Sequence, residues 1–281
     1  MYSRIDIVKK LGKEIAIFPI HKENFKENSI NLSASKYAWT LGSGTIIWDK
    51  EKNEFRMCNS KKKEQEKRES VKLKRGDNAC VSCCDDSYIV FLPHSVTLIE
   101  TEETLAVGGK IGGTYHSKVG LAAKGLGHIS TMLGPNFAGH SLVPVNNPTD
   151  EVIKLKVGNT FVSVVFHELQ TKLKDKNPTK SGHTEKMTEL GVLLKEEESE
   201  FLEEDWKVDF KRVAAKMEKT EDYKDLKNTI GNKKVKDFLN KYWKQILVVG
   251  GFIVVLLITF IKKGGLSMED IKTFFDLVAG F

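Results

Sequence analysis

Residues 117–147 of this chain, "SKVGLAAKGLGHISTMLGPNFAGHSLVPVNN", collect groups suited to holding a phosphorylated ligand. Lys118 and Lys124 supply positive charge, Ser117, His128, Asn136 and His140 supply hydrogen bonds, and Gly125 and Gly139 permit close backbone approach. Flexible lysines with glycine-rich backbone form a suitable cradle for an anion. The stretch has no Asp or Glu, so it offers no carboxylate to activate water or hold a metal-bound water. These residues alone leave open whether the stretch belongs to a catalyst or to the shell of one kept for another purpose.

A second constellation tests a metal. His21-Lys22-Glu23 lies upstream of Cys80-Val81-Ser82-Cys83, with Cys84 next and Cys58 apart. Zinc deaminases of bases use an H-x-E element followed by P-C-x-x-C. Here Ala79 stands where proline belongs, and "VSCCDDSYIVFL" reads as a strand entering a core. Reduced, half-buried cysteines are therefore expected, with no metal site.

The elements that must position these groups change along the chain. Up to about residue 170, short apolar runs such as "EIAIFPI", "GTIIWD", "SYIVFLP", "VTLIET", "HSLVPV" and "TFVSVVF" alternate with Gly, Asn, Pro and Asp clusters, which predicts strands joined by turns. The charge run "NSKKKEQEKRESVKLKRGD" has no interleaved aromatics to stack on bases, so it reads as a solvated loop and no nucleic-acid partner is expected. Residues 171–243 read as a charged linker and amphipathic helices, with Leu202, Trp206, Phe210, Val213 and Met217 able to share one face.

Residues 244–263 read as a transmembrane helix. Ile246 to Ile261 contains no charged residue, and at 1.5 Å per residue it covers roughly 24 Å, with Tyr242, Trp243 and flanking lysines extending its reach. More lysines precede the run than follow it, which predicts a single-pass membrane protein with its large N-terminal part in the cytoplasm. The tail 264–281 opens with Ser267-x-x-Asp270 and places Ile271, Phe274, Phe275 and Val278 on one side, as expected of an interfacial helix against membrane lipid. The charge of +6 comes from 44 basic and 38 acidic residues, a balance that fits an anionic membrane surface or a small anionic ligand.

With its flanks, the opening stretch resembles the dUTPase and dCTP deaminase superfamily over residues 85–170. The resemblance rests on Pro93-His94-Ser95, Glu100-Thr101, Ser117 to Leu126, Leu133 to Gly139, Asn147, and Gly158 before "TFVSVVF". It implies a mainly β domain over 1–170, a distorted β-barrel or jelly-roll, assembled as a homotrimer with pyrimidine deoxynucleotide sites between subunits. It also implies that the nucleotide is held by Ser117, Lys118, Lys124, Gly125, His128, Asn136, Gly139 and His140. The chain departs from the family where catalysis resides: Gly134 replaces the Asp of the Ile-Asp-Pro-Gly box, and Pro144 stands at the deaminase Glu position. Asp150, Glu151 and Glu168 are the nearby carboxylates. The expectation is thus a membrane-anchored, catalytically degenerate relative that binds a nucleotide or partner, in a sensing or scaffolding role. The rivals are a tethered active dCTP deaminase or dUTP diphosphatase, which as a hydrolase would call for Mg, and a purely structural oligomeric anchor.

Overall fold

The structure, a computed structural model, describes residues 1–58, 70–83, 85–128, 131–173, 179–180 and 183–230. Met1–Lys227 form one compact unit. The apolar run 244–263 and the tail 264–281 lie outside the described residues, and among the described residues no helix is long and apolar enough to cross a membrane.

In chain order the elements are α1 (Arg4–Lys10), β1 (Ile15–Phe18), β2 (Ile30–Thr40), β3 (Gly44–Asp49), β4 (Glu54–Met57), β5 (Val71–Leu73), β6 (Cys80–Cys83), β7 (Asp86–Phe91), β8 (Ser95–Val107) and β9 (Ile111–Ser117). Then come α2 (Val119–Ala122), β10 (Gly127–His128), β11 (Met132–Leu133), β12 (Phe137–Asn147), β13 (Ile153–Lys156), β14 (Thr160–Glu168), β15 (Thr179–Lys180), α3 (His183–Glu189), α4 (Glu196–Glu203) and α5 (Phe210–Glu218). The fold is mainly β, and each of the six short apolar runs singled out before residue 170 contributes to a strand.

A nine-stranded sheet runs β10-β12-β8-β2-β14-β9-β11, with β1 added to β8 and β15 to β12; β13-β7-β6 and β4-β3-β5 form two smaller sheets. Irregular pairing bends the large sheet at its centre. On β12, Ser141 alone faces the three β8 residues Thr101–Glu103, because His140 pairs with Thr104 and Leu142 with Glu100. Side chains stitch the extra loop of chain: the Ser141 amide donates to Thr101 Oγ1 at 3.0 Å, and Thr101 Oγ1 donates to the Glu103 carbonyl at 2.8 Å. Pro144 fits β12 because, among the described residues, the outer side of β12 pairs with β10 at Val145–Asn146 and with β15 at Phe137–Ala138, and with nothing at Pro144. A residue without an N–H is tolerated where no neighbouring strand needs it.

The helices after residue 170 pack on this sheet. Met187, Val192 and Leu202 are buried against Tyr37, Trp39 and Leu98, each stabilising the unit by ~1.5–3 kcal/mol. The segment expected to present Leu202, Trp206, Phe210, Val213 and Met217 on one face is two helices instead. The Asp209 carboxylate starts α5 afresh by accepting from the Lys211 and Arg212 amides at 2.8 and 3.1 Å. Leu202 therefore joins the α3–α4 layer, while Val213 and Met217 are buried on α5, which packs against β1. An N-cap outcompetes continued periodicity here because it satisfies otherwise orphaned amides.

Candidate functional site

The sequence-predicted residues fall into two groups at opposite ends of β12. Gly127 and His128 pair with Asn146 and Val145, whereas Asn136 precedes Phe137 at the other end of the strand. Asn146 lies eight residue steps along the strand from Ala138, roughly 26 Å at 3.3 Å per residue.

At the first end, the chain from Ser117 to His128 closes the curled sheet. Its Leu121 and Leu126 pack beside Val143, Val145 and Phe161. Lys118 Nζ donates to Thr160 Oγ1 at 2.7 Å, and burial, with Lys26 nearby, lowers its pKa. Lys124 is exposed. Gly125 is a turn glycine, with φ of +88° and a position where a Cβ would meet Thr149 Cγ2 at 2.6 Å. These residues pack against the ends of β12 and β14.

At the second end, Asn136 takes φ of 61° in the turn before β12, and Gly139 takes φ of 147°. His140 is buried within the unit: Nδ1 donates to the Thr101 carbonyl at 2.9 Å, and its ring stacks on Phe201 of α4 at 4.1 Å. Burial first, then the Lys207 charge, push its pKa down to about 3, so the imidazole is neutral. The stacked Phe201 covers it, so His140 belongs to the α4–sheet interface.

Around Asn136 lies a cleft of about 540 Å³, a size suited to a small ligand. Its walls are the Val107–Gly109 and Asn136–Ala138 turns on one side, and Lys172 with the first turn of α5 on the other. Gly109 keeps the floor open, since a Cβ there would lie 2.6 Å from the Leu173 carbonyl and 2.9 Å from Asn136 Oδ1. Half-buried Phe137 and Phe210 provide aromatic surface. Among the described residues, neither Lys172 nor Lys211 forms an ion pair, while the one carboxylate at the rim, Asp209, is engaged by two backbone amides. Two lysines, an aspartate, an asparagine amide and two rings thus line the cleft. Lys172, Phe210 and Lys211 lie in segments that carried no motif, so only the docking of α5 reveals them.

The two positions that the resemblance singles out for catalysis, Gly134 and Pro144, carry no carboxylate in this chain. Gly134 has no atom within 4 Å of the position a side chain would start from, so no neighbouring carboxylate occupies the vacated place. Asp150 is held by His94 at 2.8 Å, and Glu168 faces Lys10 at 3.8 Å. Among the described residues no three His, Cys, Asp or Glu side chains converge on a point. Cys80 and Cys83 sit on β6, whereas His21 and Glu23 lie at the 3-10 turn Lys22–Asn24.

No protein-family model matches the chain, and no curated protein does. Solved structures similar to it include a 2'-deoxycytidine 5'-triphosphate deaminase from Agrobacterium tumefaciens, at 12% identity and a TM-score of 0.39, over 66% of this chain and 51% of the deaminase. This chain thus spans about half the length of that deaminase. Also similar are a dUTPase from phage phi11 of S. aureus, at 14% identity and a TM-score of 0.28 over 34% of this chain and 80% of the dUTPase, and the EIAV dUTPase, at 19% and 0.29 over 38% and 90%. The chain's structural neighbours are therefore dCTP deaminase and dUTPases.

Proposed function

We propose that this chain is a nucleotide-binding, non-catalytic protein of the dUTPase and dCTP deaminase type, anchored to a membrane by residues 244–263 and acting as a sensor or scaffold. The observation that carries the reading is the Asn136 cleft, which pairs two lysines outside any ion pair among the described residues with aromatic surface and has a single rim carboxylate, Asp209, whose Oδ1 accepts from two backbone amides. Lys172 and Lys211 are suited to a phosphate, because ammonium groups act as point charges on a tetrahedral anion. Phe137 and Phe210 are suited to the base and sugar. A pyrimidine deoxynucleotide is the ligand the motif resemblance favours, and a homotrimer is the assembly it favours. Anchoring with the N-terminal unit in the cytoplasm follows from the lysine-flanked apolar run 246–261.

The test uses the full chain in detergent micelles, mixed with dCTP, dUTP and purine nucleotides, with melting temperature and nucleotide composition followed together. Stabilisation by a pyrimidine deoxynucleotide that stays intact is expected, and Lys172→Ala or Lys211→Ala should weaken it about tenfold, ~1.4 kcal/mol. Conversion of dCTP or dUTP at a rate that scales with protein would overturn the non-catalytic reading. Absence of stabilisation by every nucleotide would leave a purely structural anchor.

A further inference from the structure

A second cleft, of about 440 Å³, opens at the other end of β12. Leu41, Val96 and Pro148 give it apolar surface; Arg75, His94 and Asn146 give it polar groups. Its base is tight, because a Cβ on Gly42 would lie 2.6 Å from Ser95 Cβ. Neighbouring Asn147 is fully engaged: Nδ2 donates to the Phe91 and Glu151 carbonyls at 3.0 and 2.7 Å, and Oδ1 accepts from Thr149. That residue fixes the wall and leaves ligand contact to Asn146.

Arg75 is exposed yet held. Nη1 donates to the Leu41 carbonyl at 2.9 Å and Nη2 to the Leu190 carbonyl at 3.3 Å, which sets the guanidinium plane and leaves the rest of its five N–H donors unused. Among the described residues it forms no ion pair. The nearby acid, Asp150, is taken by His94 Nε2 at 2.8 Å, and His94 itself holds an unusual φ of 51°. The cleft therefore carries one uncompensated planar cation above an apolar floor.

We infer that this cleft binds a small monocarboxylate with an apolar body. Its carboxylate lies on Arg75 beside the Asn146 amide, and its body lies on Val96 and Pro148. A planar carboxylate matches the guanidinium fork, and one net positive charge balances a monoanion. A phosphate, with more than one negative charge, is better matched by the Asn136 cleft, which two lysines line. The inference is independent of nucleotide binding, since the two clefts share no residue.

The test titrates the full chain in detergent with benzoate, followed by ligand-observed NMR, with inorganic phosphate as competitor. Saturable benzoate binding is expected, weakened at least tenfold in Arg75→Gln and unchanged in Lys172→Ala. Because Arg75 also ties Leu41 to Leu190, Asn146→Asp is the second variant: it adds a negative charge inside the cleft without touching those bonds, and should also weaken benzoate at least tenfold. Absence of saturable binding, equal binding by both variants, or displacement by phosphate at matched concentration would overturn the inference.

Discussion

His183 Nδ1 donates to Glu100 Oε1 at 2.7 Å, joining the first turn of α3 to the centre of the large sheet through a carboxylate with no exposed surface. The other oxygen, Glu100 Oε2, is buried without a partner, so His183 supplies the compensation that this charge receives. Burial opposes the imidazolium, but the Glu100 charge and hydrogen bond outweigh it and raise the His183 pKa above its ordinary value.

A raised folded-state pKa means that the stabilisation from this pair is complete below the unfolded value of about 6.5 and is lost as pH rises through the folded value. Melting temperature should fall on going from pH 6 toward alkaline values, and His183→Gln should flatten that fall. Breaking a buried pair costs about 3–5 kcal/mol, so the variant should melt markedly lower at pH 6. A pH profile identical to that of the parent chain would remove the ion pair from the account.

Glu103 contributes in the same direction for a different reason. Its Oε2 accepts from the Ser33 amide at 2.8 Å, its Oε1 has no partner, and burial pushes its pKa up to about 7. The folded state favours the protonated form, so stability declines as pH rises from about 4.5 through 7. Glu103→Gln keeps the acceptor for Ser33 and removes the titration. It should be near neutral at pH 4 and stabilising by roughly 3 kcal/mol above pH 7, read from denaturant midpoints at the two pH values.

The α3–α4 layer should behave as core and not as a detachable appendage. Met187 is 0% and Leu202 2% exposed. Met187→Ala or Leu202→Ala should therefore cost ~2–5 kcal/mol in urea unfolding of the full chain. Values near zero would mean that the layer does not share the cooperative unit.

Two glycines should respond with opposite signs. Gly76 has φ of +88° and a position where a Cβ would lie 2.8 Å from the Gly191 carbonyl, so Gly76→Ala should destabilise by more than ~1 kcal/mol. Gly120, within α2 and with nothing within 4 Å, should gain ~0.4–1 kcal/mol as alanine. Thermal melts of the two variants check the pair.

The order of apolar runs determined most of the strands, because alternation and turn residues act locally: "SYIVFLP" and "TFVSVVF" are β7 and β14. That Gly134 and Pro144 carry no carboxylate was equally legible, since residue type does not depend on the fold. Position in space was not. Ser117, Lys118 and Gly125 end up a strand's length from Asn136, and His140 disappears beneath Phe201, a residue sixty-one positions later in the chain. The Asn136 cleft needs Lys172 and Lys211, and the second cleft needs Arg75 beside Asn146; neither pairing leaves a periodic trace. The single helix suggested by the spacing from Leu202 to Met217 gave way to Asp209, whose capping bonds are local but whose consequence, a helix docked on β1, is tertiary. Local pattern fixes which residues are strand or turn, whereas ligand-sized clefts arise where distant segments pack, and only the tertiary structure decides those contacts.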